Sequence, residues 1–445
     1  MNLGAKKMTA AFLALLALAR TVAADEPSGK GLVVIRAARL IDGTGAEVVG
    51  PALIVIENER IRAVGRQGTL EVPEKATIVD LGDVTLLPGF IDCHTHVAGR
   101  TLGSPGAETA VVRDFAATGA ILGVGHVRDT LMAGFTTIRV VGSSDFDDIA
   151  LRAVIQEGAI VGPRMVCCGH GIGVTGGHAD VNGYRPGLLD VDYKHGIADG
   201  ADECRKAVRY QVKQGADAIK IVATGGVLSE GDAVGATQYA ADELKALLDE
   251  ATKLERKVAA HAHGTEGIKL AVAAGVASIE HGSFLDDEGA RMMAERGTYL
   301  VPTLMAAERV EQAAQVGILK GQRAEKAAAA AAGMRNAIKK AVAFGVPVAL
   351  GTDAGVIAHG TNAREFQLMV EWGGLSPMNS ILAGTRNASK LLGLDAKIGT
   401  LEAGKLADVV AVQGNPLDDI RQLQKPVFVM KNGVIHRQPA TEKSE

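Results

Sequence analysis

The chain has 445 residues, enough for a barrel of about 250 residues and an accessory domain. A net charge of −4 creates no basic field for nucleic acid, and 3% aromatic residues leave few platforms on which bases could stack. A hydrophobic fraction of 47% with 55 glycines describes instead a compact α/β enzyme rich in tight turns.

Residues 1–24 read as a cleaved export signal. Lys6 and Lys7 precede an apolar stretch from Met8 to Ala19, and Val22-Ala23-Ala24 supplies small residues for a cut after Ala24. The stretch is shorter than the ~20 residues that cross a bilayer. The expectation is an exported protein, periplasmic or secreted, with no membrane attachment after cleavage. Cys93, Cys167, Cys168 and Cys204 form no disulfide framework and are expected to be buried free thiols.

Residues 25–85 predict short strands over 31–35, 52–56, 61–64 and 77–81, with turns at Asp42-Gly43 and Glu57-Asn58-Glu59. Residues 400–445 share that texture, with strands over 408–412 and 426–430 and a hairpin signal at Asn432-Gly433. One small β-sandwich domain built from both termini is expected. Between these parts, residues 86–399 alternate apolar strands with amphipathic helices. The strand that delivers His94 is followed by strands at 136–141, 164–167, 218–222, 258–261, 278–281, 299–302 and 346–353. Eight βα units predict a TIM-type (β/α)8 barrel. An open doubly wound sheet would carry a glycine-rich phosphate loop after its first strand, and none is present. Ala327–Ala332 reads as an exposed or partly buried helix rather than a functional tract.

The chemistry starts at His94 and His96. On a strand, residues i and i+2 face the same way, so both imidazoles can meet one metal ion, with Asp92 two residues before them. Alternation turns Cys93 away. Lys220, His261, His281 and Asp353 also stand at predicted strand ends, which a barrel gathers on one face. Lys220 lies among Ile219, Ile221 and Val222, where a charged amine is costly to bury. Burial favours the neutral amine, which can add CO2 and become an anionic carbamate able to bridge two cations. Taken jointly, these residues predict a metal centre.

Seven segments then carry a resemblance: Gly89-Phe-Ile-Asp-Cys-His-Thr-His96, Gly134-Phe-Thr-Thr137, Ile219-Lys-Ile-Val-Ala-Thr-Gly-Gly226, His261-Ala-His-Gly264, Ile279-Glu-His-Gly282, Gly351-Thr-Asp-Ala-Gly355 and 399–408. In this order they resemble the amidohydrolase superfamily, and most of all its imidazolonepropionase-related branch of prolidase-like dipeptidases, carboxypeptidases and ochratoxin-hydrolysing amidases. The resemblance implies two divalent ions, usually Zn2+. His94, His96 and Asp353 would hold the more buried ion and His261 and His281 the exposed one. Lys220, as N6-carboxylysine, and a hydroxide would bridge them. It implies that Asp353 doubles as proton shuttle and that the substrate is a small N-acyl amino acid or dipeptide, with ochratoxin A within reach. It also implies a homo-oligomer, octameric in some relatives.

His178, in the glycine-rich loop 169–178, is the expected carbonyl or oxyanion contact, with His170 second to it. His263, two residues after His261, is expected to touch substrate rather than metal. Candidates for binding the substrate carboxylate are Tyr184, Arg185, Ser229, Tyr239 and Arg364, while His359 and Asn362 follow Asp353 closely enough to line the pocket. One departure from the resemblance is Val140, where relatives often carry Asp after the arginine. The competing enzymatic reading is hydrolysis of a cyclic amide or deamination of a heterocycle. Deaminases of the superfamily usually work with one metal and lack the bridging lysine, so Lys220 argues against it. A non-catalytic scaffold would typically have lost ligands, and all six are present.

Overall fold

The computed structural model describes residues 26–229 and 231–439, so the expected export signal lies outside the described residues. The chain opens with six strands: β1 (Leu32–Ala37), β2 (Arg39–Leu40), β3 (Ala52–Glu57), β4 (Arg60–Arg66), β5 (Thr77–Asp80) and β6 (Val84–Pro88). Four of them form a sheet in the order β4-β3-β1-β5. The β3–β4 hairpin turns at Asn58, whose φ of 58° its short polar side chain tolerates.

Seven parallel strands follow: β7 (Phe90–Thr95), β8 (Phe135–Val140), β9 (Arg164–Cys167), β10 (Ile219–Val222), β11 (Val258–Ala262), β12 (Ser278–His281) and β13 (Tyr299–Val301). They form two sheets, β7-β8-β9 and β10-β11-β12-β13. Backbone hydrogen bonds join the two sheets at both seams. At one, Asp217 N donates to Cys167 O at 2.8 Å, and Ile172 N donates to Lys220 O at 2.8 Å. At the other lies the eighth expected strand, 346–353. It is extended but makes no continuous ladder. Pro347 has no N–H to give, and Asp353 leaves the extended region at φ 61°. It still bonds on both sides: Leu300 N to Pro347 O at 2.9 Å, Cys93 N to Leu350 O at 2.8 Å and Asp353 N to His94 O at 2.8 Å. Eight parallel segments therefore run round a ring, the TIM-type arrangement.

The crossover from β13 to the eighth segment is a pair of helices, Leu304–Gln315 and Gln322–Ala343, packed along each other. Ala327, Ala330 and Ala331 are buried while Ala328 and Ala329 are exposed, so the alanine run is an amphipathic stripe at helical spacing. The chain ends with β14 (Val409–Gln413), β15 (Pro426–Lys431) and β16 (Val434–Arg437). These join two early strands in the order β16-β15-β14-β6-β2, so residues from both ends of the chain share one sheet. Ile35, Ile54, Leu86, Val409 and Phe428 pack in one apolar cluster apart from the barrel core. Arg164 on β9 ties that region to the barrel through Asp408, at 2.8 Å. All four cysteines are buried and free.

Candidate metal centre

The C-terminal ends of the barrel strands deliver two clusters of ligand-type side chains to one cavity of about 590 Å3. In the first, His94 and His96 leave β7 and meet Asp353 from the eighth segment. Asp353 Oδ1 lies 3.6 Å from His94 Nε2 and 3.4 Å from His96 Nε2. The other ring nitrogens are already engaged: His94 Nδ1 with Glu280 Oε2 at 2.7 Å and His96 Nδ1 with the Gly142 carbonyl at 2.9 Å. Each ring is thus fixed with Nε2 toward Asp353, the arrangement that orients a histidine ligand.

The second cluster is His261, His263 and His281. In each cluster the potential ligand atoms lie within 4.8 Å of one another. His281 Nδ1 bonds Thr303 Oγ1 at 2.7 Å, and His263 Nδ1 bonds Ser283 Oγ at 2.6 Å. His261 Nε2 is buried without a hydrogen-bond partner, a costly state for a polar atom unless something else binds it. Lys220 on β10 lines the same cavity. Burial holds the imidazoles of His94, His261 and His281 well below their ordinary pKa, and so neutral. It also pulls the Lys220 ammonium down to about 8. Neutral imidazoles, a carboxylate and an orphaned ring nitrogen are a donor set that fits divalent cations.

Three residues of this region have left-handed backbones: His281 at φ 70°, Thr303 at φ 47° and Asp353 at φ 61°. The reason is geometric. Glu280 and His281 are consecutive, and a strand would send their side chains to opposite faces. Yet Glu280 bonds His94 while His281 joins the second cluster, and the positive φ re-aims the latter. Thr352 and Asp353 show the same break, Thr352 bonding Asp92 while Asp353 faces the histidines. Such conformations cost on the order of 1 kcal/mol or more each and gather where function fixes geometry.

Sequence reasoning noted Asp92 but missed what it holds, and it missed Glu280 and Arg139 altogether. The buried Asp92 carboxylate accepts from His94 N at 3.0 Å, Thr352 N at 3.2 Å, Thr352 Oγ1 at 2.6 Å and Asn362 Nδ2 at 2.8 Å, locking β7 to the eighth segment. Burial raises it to about 6 despite those bonds. Glu280 is held by Arg139 Nη2 at 2.8 Å and Ser278 Oγ at 2.5 Å. Arg139 Nε in turn donates to the Cys93 carbonyl at 2.6 Å. The usable signal was alternation along β12: Ser278 and Glu280 share a face, which places a carboxylate inside a barrel.

Of the expected substrate residues, His178, His263 and His170 line the cavity. The His178 ring lies over Gly226, where a Cβ would come within 2.3 Å of it. Its Nδ1 is 2.8 Å from Ser229 Oγ, which is 2.7 Å from Asp232 Oδ1. Hydrogen bonds from Ser229 and Lys326 hold the Asp232 carboxyl below its usual range despite burial, so Ser229 donates to it and accepts from His178 Nδ1. Burial keeps His178 neutral, at about 4. Its Nε2 is therefore an acceptor, whereas a carbonyl or oxyanion would need a donor. Other expected residues stand elsewhere. Tyr239 is buried and donates to the Ile172 carbonyl at 2.7 Å. Tyr184 and Arg185 are exposed on a loop away from the cavity wall. Arg364 forms a two-pronged pair with Glu308 at 2.8 and 2.7 Å. His359 stacks on His126 at 4.1 Å, outside the wall, and Asn362 serves Asp92. Arg100, not anticipated, lines the cavity while paired with Asp114 at 2.8 Å.

Paired histidine clusters at the C-terminal mouth of a parallel barrel define the class of site found in metal-dependent TIM-type hydrolases. The sequence profile of the amidohydrolase family matches residues 85–436, and the chain belongs to that family. It is similar to the ochratoxinase of Aspergillus niger, 34% identical over 428 residues, covering 92% of this chain and 87% of that protein. A solved Xaa-Pro dipeptidase with bound methionine is 39% identical at a TM-score of 0.87, covering 92% of this chain and all of the other, 100%. A prolidase solved with N-methylphosphonate-L-proline is 29% identical at a TM-score of 0.84, with the same 92% and 100% coverage. This protein is a hydrolase acting on amide bonds. Its family generally binds divalent metals.

Proposed function

We propose that the protein hydrolyses the amide bond of dipeptides or N-acyl amino acids, at a site for two divalent ions. The observation that carries this is the presence of two donor clusters and the buried Lys220 in one cavity. His94, His96 and Asp353 would hold one ion, His261 and His281 the other, with Lys220 as carbamate shared between them. Zinc suits a site dominated by imidazole. Divalent ions there would make a water nucleophilic near neutral pH and polarise the scissile carbonyl.

The chain's own residues do the rest. Asp353, raised above the ordinary carboxyl range by burial, takes the proton of the attacking water and returns it to the leaving nitrogen. His178 offers Nε2 to an N–H of the substrate. Glu280 and Thr303 keep His94 and His281 from rotating. Names of relatives widen the proposed substrate range to a Pro-containing dipeptide and an ochratoxin amide.

The test is metal analysis of the purified protein together with a screen of dipeptides and N-acyl amino acids ending in Phe, Pro, Arg and Lys. About two ions per chain and turnover of at least one carboxylate-bearing amide are expected. Turnover of a lactam alone would overturn the substrate class, and failure to bind divalent ions would overturn the centre.

A further inference from the structure

The crossover between β13 and the eighth segment also shapes the cavity. From its two helices, Ala306, Ala307, Val310, Ala330 and Met334 reach the wall, next to Val227 and Leu228 of the loop after β10. Behind this wall Val310, Ala313, Leu319, Ala327 and Ala330 form an apolar cluster separate from the barrel core. The loops after β8 and β9, on the far side of the ring from β13, line the cavity with Ser143, Asp145 and His170 instead, while the loop after β7 adds Arg100 to the wall and packs Leu102 against the helix pair. Among the described lining residues the charged ones are Arg100, Asp145, Lys220 and Asp353, none of them from the helix pair. The buried Lys326 of that pair is 3.0 Å from Asp232 and donates to the Ser229 carbonyl at 2.9 Å, so its charge is compensated away from the cavity.

We infer that the helix pair forms a subsite for a bulky apolar side group, aromatic or branched alkyl, beside the scissile amide. The inference rests on the amide-hydrolysis reading above. Three alanines on the wall leave room that a larger residue would fill. Apolar surface buried there is favourable, whereas a charged side group would lose its water and find no counter-ion. Lys326 acts as the clamp that holds this wall against the loop carrying Ser229, and so against His178. The substrate therefore lies with its apolar group toward the helix pair and its polar end toward Ser143 and the loops after β8 and β9.

The test uses the full chain loaded with zinc. Alanyl-alanine, alanyl-phenylalanine, phenylalanyl-alanine, alanyl-glutamate and glutamyl-alanine are compared by kcat/KM. One aromatic dipeptide should exceed alanyl-alanine by about tenfold or more, and the charged ones should fall below it. Ala330→Phe should erase that advantage, mainly through KM, bringing the aromatic-to-alanyl-alanine ratio of kcat/KM down to about one. Met334→Ala, which removes side-chain bulk, gives a second reading should the larger residue impair folding. It should change the aromatic-to-alanyl-alanine ratio of kcat/KM several-fold. Equal turnover of all five, or equal losses in the variants, overturns the subsite. Calorimetry with reduced-amide analogues, CH2–NH in place of CO–NH, separates the two claims. If nothing is cleaved but aromatic analogues still bind tenfold tighter, the hydrolysis reading falls and the subsite stands. Binding without that order overturns the subsite.

Discussion

The two histidine clusters share a cavity but differ in what stands behind them. Asp353 places a carboxylate among the donors of the first, and buried charge backs it: Glu280 behind His94, Arg139 behind Glu280, Asp92 beneath the His94 backbone. The second contains only imidazoles, steadied by the hydroxyls of Ser283 and Thr303. A carboxylate behind a histidine raises its donor strength, and an anionic donor adds direct attraction for a cation. On the two-ion proposal, the first cluster would hold its ion firmly and the second would exchange it.

The strongest way to break this comparison is to delete donors one at a time. His94→Asn should lose the firmly held ion and on the order of a thousandfold or more in kcat/KM. His261→Asn should lose the exchangeable ion with a similar loss of rate. His263→Asn should keep about two ions per chain and lose on the order of tenfold. Elemental analysis beside kinetics reads all three. Loss of an ion in His263→Asn would make His263 a ligand, as its distance to its two neighbours allows.

Next in size is the charge behind His94. Glu280→Gln should weaken the first cluster's affinity about 10- to 100-fold, measured by chelator competition, while the second cluster keeps its affinity. The change also leaves Arg139 buried without its anion, so the metal-free protein should unfold at a lower denaturant concentration. Equal weakening of both clusters would show that they share one electrostatic support.

In the proposed centre Lys220 would join the two halves, and its titration gives the pH prediction. Burial lowers the ammonium from 10.5 to about 8, and only the neutral amine takes up CO2. Below that value, each pH unit cuts the neutral fraction about tenfold. At a fixed concentration of dissolved CO2, reactivation of metal-free protein by zinc should therefore slow steadily from pH 8 to pH 6 and level off above 9. A rate indifferent to CO2 would remove the carbamate from the proposal.

These tests also mark what the sequence could and could not reveal. The alternation of short strands and helices made the ring legible, and strand ends bearing His94, His96, Lys220, His261, His281 and Asp353 pointed to one face of it. What stayed hidden depends on three-dimensional neighbours. Arg139 and Glu280 are 141 residues apart and meet only inside the barrel. Tyr239 and Arg364 offered suitable groups, yet a backbone carbonyl and Glu308 had already taken them. The eighth segment reads as an ordinary strand by composition, and its break comes from the left-handed turn at Asp353.

The smallest expected effect lies in the hydroxyl that steadies the second cluster. Thr303 sits at φ 47° just ahead of the helix Leu304–Gln315. The buried Glu365 carboxyl fixes that turn by accepting from Leu304 N at 2.7 Å and Met305 N at 2.8 Å. Thr303 Oγ1 lies 2.7 Å from His281 Nδ1, and by accepting from it would leave Nε2 as the proposed ligand atom. Thr303→Val keeps the shape and the β-branch, so backbone strain is unchanged and only the acceptor is removed. The unpaired N–H costs about 1 kcal/mol, or about fivefold in affinity, and this loss should fall on the exchangeable ion alone. Thr303→Ser restores the acceptor and should recover most of it. A loss that Ser does not rescue would mean that the turn held by Glu365, rather than the hydroxyl, orients His281.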